Sequence, residues 1–382
     1  MDIVHRCCAG LDVHKKTVVA CVRRLGPDGS PQPSIRTFAT MTADLLALAD
    51  WLAAEGVTHV AMESTGVYWK PVYHLLEDRF ALLLVNAQHI KKVPGRKTDV
   101  KDAEWIAQLL QYGLLASSFV PPPPIRELRD LTRQRTQLTR DRATVVNRIE
   151  KVLEDANIKL ASVASDPLGV SGRAMLRAMI AGEESPDALA ELARARLRSK
   201  IPQLKQAMHG RVTDHHRFLL RTLLNQIDSL EAMVAQYDDQ IGLVMAPFAE
   251  AARRLRTTPG IGQASAEIIV AEIGTDMSRF PSAAHLCSWA GLCPGNDQSA
   301  GKRRSGKTTK GSQWLRTALV QVAWAAVHTK ATIFSATYSR LAKRLGKKKA
   351  LVAIAHKILG IIHKLLKDQQ DYVERLGHQQ AA

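Results

Sequence analysis

The sequence predicts an α/β domain followed by an all-α remainder, and three observations predict it. Up to about residue 115, short apolar runs of strand length alternate with helical patterns. Four consecutive prolines, Pro121 to Pro124, then interrupt the chain. Beyond them, apolar residues keep to three- and four-residue steps almost to the end.

In the first region, residues 1–120, Cys8 to Val13 and Thr17 to Val22 read as a hairpin and Ser34 to Thr40 as a third strand. A helix over Ala43 to Ala54 follows. Val57 to Met62 and Ala81 to Val85 are two further strands, separated by a helical stretch around Tyr68 to Asp78. The proline run reads as a stiff spacer that enters neither a helix nor a central strand.

In the second region, residues 121–250, Leu131, Leu138, Val145 and Val152 recur at seven-residue spacing. Leu220, Leu223, Ile227, Leu230, Val234, Tyr237 and Ile241 keep an uninterrupted three-four pattern. These predict coiled-coil helices, folded back as an intramolecular hairpin or extended as a dimerisation arm; the arm is the preferred reading. Shorter helices between Ser162 and Gly210 are set off by turn signals at Asp166-Pro167 and Ser185-Pro186.

The third region, residues 251–382, begins with a helical turn at Pro259-Gly-Ile-Gly262 and a helix through Glu272. A glycine-rich cationic loop, a helix from Trp314 to about His328 and a basic helix over Leu341 to Lys367 complete it. The turn at Gly260 and Gly262 reads equally well as an ordinary helical turn or as a helix-hairpin-helix motif. In the second case its N–H groups would meet a phosphate backbone without reading bases.

With 382 residues and 46% hydrophobic content, the chain can bury two or three cores. Its net charge of +17 comes from 53 Lys and Arg spread over every segment, against 36 acids. Charge alone leaves a polyanion binder and a merely basic protein level, so the placement of the cations has to decide. Five cysteines without a CxxC pair point to buried thiols in a reducing compartment rather than disulfides or a zinc knuckle. No apolar run approaches the roughly 20 residues of a membrane span, and the N-terminus lacks a signal-type core. A cytoplasmic protein with no membrane contact is expected.

One motif invites a misreading. Gly301-Lys-Arg-Arg-Ser-Gly306-Lys307-Thr308 matches the phosphate-binding loop of nucleotide-binding proteins. Such a loop needs an apolar strand before it and a helix starting at its Lys-Thr. Here Cys293-Pro-Gly-Asn-Asp-Gln298 precedes it and Thr309-Lys-Gly311 follows, so no nucleotide site is expected.

Four carboxylates in the first region carry more. Asp12 and Glu63 each end an apolar strand, where open α/β sheets form their sites. Asp99 and Asp102, three residues apart, share one face at the start of an apolar helix. Singly, each acid reads as a turn residue, a solvated strand end or a helix-start residue. Together, four oxygen donors suit hard divalent cations, and a pair of ions about 4 Å apart suits displacement at phosphorus.

The placement of acids on the first and fourth strands and on a following helix resembles the RuvC-like (RNase H-like) nuclease fold. Gly10-Leu-Asp-Val-His-Lys15, Met62-Glu-Ser-Thr-Gly-Val-Tyr-Trp69 and Lys97-Thr-Asp-Val-Lys-Asp-Ala103 resemble the DEDD transposases of the IS110 family, which include bridge-RNA-guided recombinases. The likeness continues at Pro259-Gly-Ile-Gly262, at Gly291-Leu-Cys-Pro-Gly-Asn-Asp-Gln-Ser-Ala-Gly301 and at Gly311-Ser-Gln-Trp-Leu-Arg316, so it covers essentially the whole chain.

The resemblance implies that Asp12, Glu63, Asp99 and Asp102 hold Mg²⁺, two ions per site, and that a serine in the cationic loop attacks DNA. Its spacing from Gly291-Leu-Cys-Pro294 places that serine on Ser299, while Ser305-Gly306 also fits a bare Ser-Gly, so the choice between them stays open. From the residues alone, either serine is simply a small polar residue in a loop. Lys302, Arg303, Arg304, Lys307 and Lys310 would neutralise phosphates there. The resemblance further implies DNA as partner, a structured guide RNA encoded by the element, and dimers pairing into a tetramer on DNA.

Two other functions compete with a transposase. A RuvC-like nuclease or junction resolvase would cut with metal-activated water and use the serine loop only as a clamp. A nucleic-acid-binding assembly protein would carry no chemistry at all.

Overall fold

The computed structural model describes residues 2–27, 29–86, 102–295, 297–299, 302–305 and 307–374. Asp99 therefore lies outside the described residues, and over 297–299 and 302–305 only the backbone is considered. The chain divides into two compact units, Met1–Val120 and Pro121–Ala382.

The first unit is a five-stranded mixed sheet in the order β3-β2-β1-β4-β5, flanked by helices. Strands β1 (Cys7–Val13), β2 (Thr17–Leu25) and β3 (Pro31–Ala39) form an antiparallel meander. Strands β4 (His59–Glu63) and β5 (Ala81–Val85) add on in parallel beside β1. Helices α1 (Thr42–Ala54), α2 (Trp69–Leu76) and α3 (Asp102–Gln111) complete the unit. The sheet is the RuvC-like arrangement that the strand pattern and acids lead one to expect.

The two-residue alternation of β1 explains the layering. Ala9, Leu11 and Val13 join a core with Leu45, Leu48, Trp51 and Leu52 of α1. Cys8, on the opposite face, packs with Ala61 of β4 and with Trp105, Ile106, Leu109 and Leu110 of α3. Each face is thus closed by helices. A glycine at position 10 lets α3 come down onto the sheet, because a Cβ there would stand 2.3 Å from both the Ala103 carbonyl oxygen and the Ala107 nitrogen.

The second unit is helical. Helix α4 (Pro123–Asp155) runs antiparallel along α5 (Asp214–Met245), joined by short helices at Leu160–Val163, Val170–Ile180, Pro186–Glu191 and Ile201–Ala207. Leu138, Val145, Ile149 and Leu153 of α4 share one core with Leu220, Leu224, Ile227 and Leu230 of α5. The two long helices therefore pack on each other within one chain.

Three sequence expectations need correction. Pro123 and Pro124 do enter a helix, as the first residues of α4, where a missing N–H costs nothing. Of the seven-residue set on α4, Leu138 and Val145 are buried but Leu131 and Val152 only half-buried, because the buried stripe runs through Leu128, Thr132, Arg135, Leu138, Val145, Ile149 and Leu153. The basic stretch at the C-terminus is two helices, because Gly346 adopts φ 79° and breaks it.

The remaining helices are α6 (Ala249–Arg256), α7 (Gln263–Ile273), α8 (Ala283–Trp289), α9 (Gln313–His328), α10 (Ile333–Leu345) and α11 (Lys347–Asp368). A two-stranded sheet, β6 (Asp297–Ser299) with β7 (Lys302–Ser305), lies between α8 and α9. Among the described residues no helix is long and apolar enough to cross a membrane.

Candidate active site

The acids of the first unit are placed by register. The β1–β4 ladder ends at Leu11 opposite Met62, so Asp12 and Glu63 are the next residues along two neighbouring parallel strands. Such strands run about 4.8 Å apart. Side-chain alternation assigns Asp12 to the face of Cys8 and Gly10, and Glu63 to the face of Ala61, both of which α3 covers. Asp102 is the first residue of α3, adjoining the Ala103 that touches Gly10. Asp12 and Glu63 thus share one edge and one face of the sheet, and Asp102 starts the helix over that face.

Their surroundings are polar. Asp12 is a quarter exposed, and its Oδ2 lies 3.1 Å from Nε2 of His14. Thr65 donates from Oγ1 to Oε1 of Glu63 at 3.2 Å. Carboxylate oxygens are the donors a hard divalent cation takes, so the residues present fit such an ion in kind. Among the described residues, however, no three acids, histidines or cysteines already form a metal cage. Asp99, the remaining expected ligand, lies outside the described residues.

The serine region is a β-hairpin. Ser299 pairs with Lys302 at one end of the ladder, and Asp297 with Ser305 at the other. The arms continue below: Pro294 bridges Thr308, and Gly295 N–H donates to the Lys307 carbonyl at 2.7 Å. A phosphate-binding loop of the nucleotide type is excluded, since Lys302–Ser305 is a strand and the next helix begins only at Gln313.

Two glycines close the base of the hairpin. A Cβ on Gly311 would stand 2.4 Å from the Gly291 nitrogen, and one on Gly291 2.7 Å from the Gly311 nitrogen. Gly291 also has φ 69°. Only glycine lets the two chains cross there.

Beneath this crossing, the buried Glu272 at the end of α7 ties three helices together. Arg133 of α4 grips it at two points, Nε to Oε1 at 2.7 Å and Nη2 to Oε2 at 2.9 Å. Arg129 donates to the Glu272 carbonyl at 2.6 Å, and Ser312 donates from Oγ to Oε2 at 2.8 Å. Ser312 is also the cap of α9, accepting from the Leu315 N–H. The guanidiniums of Arg133 and Arg140 lie 5.7 and 4.9 Å from the Trp314 ring. Sequence reading missed this network because Arg133 and Glu272 are 139 residues apart.

The expected phosphate contacts divide. Gly260 has φ 88°, and a Cβ on it would stand 2.5 Å from the Val322 carbonyl of α9, so this glycine serves close helix packing. Gly262 is exposed with open space around it and precedes α7, whose first N–H groups receive no side-chain cap. Lys307 and Lys310 are exposed. The backbone of Lys302, Arg303 and Arg304 is strand β7. Beside the hairpin, an open groove of about 690 Å³ is lined by Thr308, Lys310, Gln313 and Arg316 among others.

Two family models match the chain. Residues 9–158 match a transposase family, the DEDD domain of IS110 transposases, and residues 252–339 match the Transposase IS116/IS110/IS902 family. The chain is similar to the transposase for insertion sequence element IS1111A of Coxiella burnetii, with 24% identity over 76% of this chain and 72% of that one. It is also similar to the putative transposase y4rJ of Sinorhizobium fredii, with 28% identity over 70% of this chain and 66% of that protein. A pilin gene-inverting protein of Moraxella bovis is 30% identical over 37% of this chain and 46% of its own length.

Proposed function

We propose that this chain, which carries both the DEDD and the second domain of the IS110 transposases, cuts and rejoins DNA by way of a serine ester. The observation that carries the reading is the alignment of Asp12 and Glu63 at the ends of neighbouring strands, with Asp102 at the start of the helix over the same face. A gene-inverting relative supports strand rejoining as well as cutting.

Asp12, Glu63, Asp99 and Asp102 would hold Mg²⁺, two ions per site, supplying charge stabilisation for the attacking and leaving oxygens. The Ser299 hydroxyl attacks the scissile phosphorus. A serine–phosphate bond forms as the hydroxyl gives up its proton, the bond to one deoxyribose oxygen breaks, and that leaving oxygen takes up a proton. A DNA hydroxyl then reverses the step and restores the serine, so joining needs no external energy source. Lys302, Arg303, Arg304, Lys307 and Lys310 neutralise the phosphates on either side.

The family likeness also supports a structured RNA that pairs with donor and target DNA, and a homodimer that doubles to a tetramer on DNA. The net charge of +17 suits both polyanions.

The experiment is strand cleavage of element-end DNA in Mg²⁺ with the element's flanking RNA, followed on denaturing gels. Cleavage by the wild type that disappears with EDTA and in Asp12→Asn supports the reading. Cleavage that survives both treatments overturns it.

A further inference from the structure

The exposed face of α9 has a composition that the phosphate chemistry above leaves unexplained. Trp324 is 61% exposed, although α9 is otherwise well packed through Leu315, Leu319, Val322 and Ala326. Its ring lies against that of His328, with centroids 4.5 Å apart. An indole so placed leaves its ring accessible to a planar ligand.

Helical spacing supplies the neighbours. Gln313, Thr317, Val320, Gln321 and Trp324 follow at three- and four-residue steps, which puts them on one face. The first four line the groove of about 690 Å³, together with Lys310 and Arg316. Trp324 stands one turn beyond Val320 and Gln321 on the same helix face. Among the described residues, no carboxylate pairs with Lys310 or Arg316. The surface therefore combines cations, hydroxyls and amides with a flat exposed ring at its end.

We infer that this face binds an unpaired DNA strand, with Lys310 and Arg316 on its phosphates and one base stacked on Trp324. Cations tracking a backbone beside an aromatic platform are the general requirements for single-strand binding. Duplex DNA keeps its base faces stacked inside the helix and cannot use the ring in this way. DNA rather than RNA is assigned because the groove adjoins the arm of the hairpin that bears Ser299 and Ser305, and recombination opens DNA strands there. This assignment rests on the proposed function.

The test is equilibrium binding of the full-length protein to fluorescein-labelled oligonucleotides in EDTA, so that cleavage plays no part. One sequence is supplied as single-stranded DNA, blunt duplex DNA and RNA. Trp324→Ala should weaken single-stranded DNA binding about 5- to 150-fold, the range for one lost base stack, with little change for duplex. Trp324→Phe should restore most of it, and Arg316→Gln should reduce the salt slope by about 0.7. Unchanged single-strand affinity in Trp324→Ala overturns the inference, as does equal loss on duplex. Tighter binding of the RNA than of the DNA, through Trp324, overturns the DNA assignment. A protein that passes this test but never cleaves would overturn the proposed function alone; one that cleaves yet binds independently of Trp324 would overturn only this inference.

Discussion

Gly10 lies directly against Ala103, since a Cβ on the glycine would stand 2.3 Å from the Ala103 carbonyl oxygen. The contact brings the start of α3, and with it Asp102, down beside the strand that carries Asp12. A backbone approach of this kind sets the separation of Asp12 and Asp102 through the main chain.

Gly10→Val therefore forces α3 off the sheet. Overpacking of this sort costs about 1–3 kcal/mol. Denaturant unfolding should register that loss, and metal-dependent cleavage should fall further than stability alone explains, because Asp102 moves with the helix.

Removing a charge from the acid edge acts on chemistry and spares the fold. Asp12→Asn and Glu63→Gln should each lower cleavage by at least about 100-fold, as loss of several kcal/mol of charge stabilisation requires. Both residues are partly exposed, so the midpoint of thermal unfolding should move little.

Glu272 makes the opposite prediction. Its carboxylate is buried and held at two points by Arg133, whose side chain is one-third exposed. Breaking a buried pair by deleting one partner costs about 3–5 kcal/mol, and the exposure of Arg133 favours the lower figure. Glu272→Ala should lose about 3 kcal/mol of stability in urea titrations. Loss of the bond from Ser312 should also loosen the hairpin base, read as faster amide exchange at Leu315, which Ser312 caps.

Burial pushes the thiols of Cys8, Cys21 and Cys287 up to about 12. At pH 8 almost none of each is thiolate, so a thiol reagent should leave all three unmodified in the native protein. The sign is plain: their reactivity should climb only as pH approaches 12, and unfolding in denaturant should expose them at once. Rapid native labelling of Cys8 at pH 8 would show the α3 face to be open.

Much of the first unit was legible because its signals are local. Alternation within Cys8 to Val13 reports a strand, and an acid ending an apolar run reports a sheet edge. The serine hairpin was visible only as glycines and cations. Its strands are short, and the Gly291–Gly311 crossing that closes it joins residues far apart in sequence. On α4, the seven-residue spacing gave way to a stripe that buries Arg135, which Glu267 and Asp238 satisfy at 2.6 and 2.8 Å. No local pattern announces such partners. The break at Gly346 has a local cause, a glycine at φ 79° between Leu345 and three lysines, and the basic character shared by both helices masked it.

A serine ester with DNA is the step on which the proposed chemistry turns. It is tested most directly by a denaturing-gel assay for covalent protein–DNA adducts, with element-end DNA, Mg²⁺ and the flanking RNA, comparing wild type, Ser299→Ala and Ser305→Ala. An adduct is expected with the wild type and with Ser305→Ala, and none with Ser299→Ala. Cleavage that persists in both variants without any adduct would contradict it and leave metal-activated water as the nucleophile.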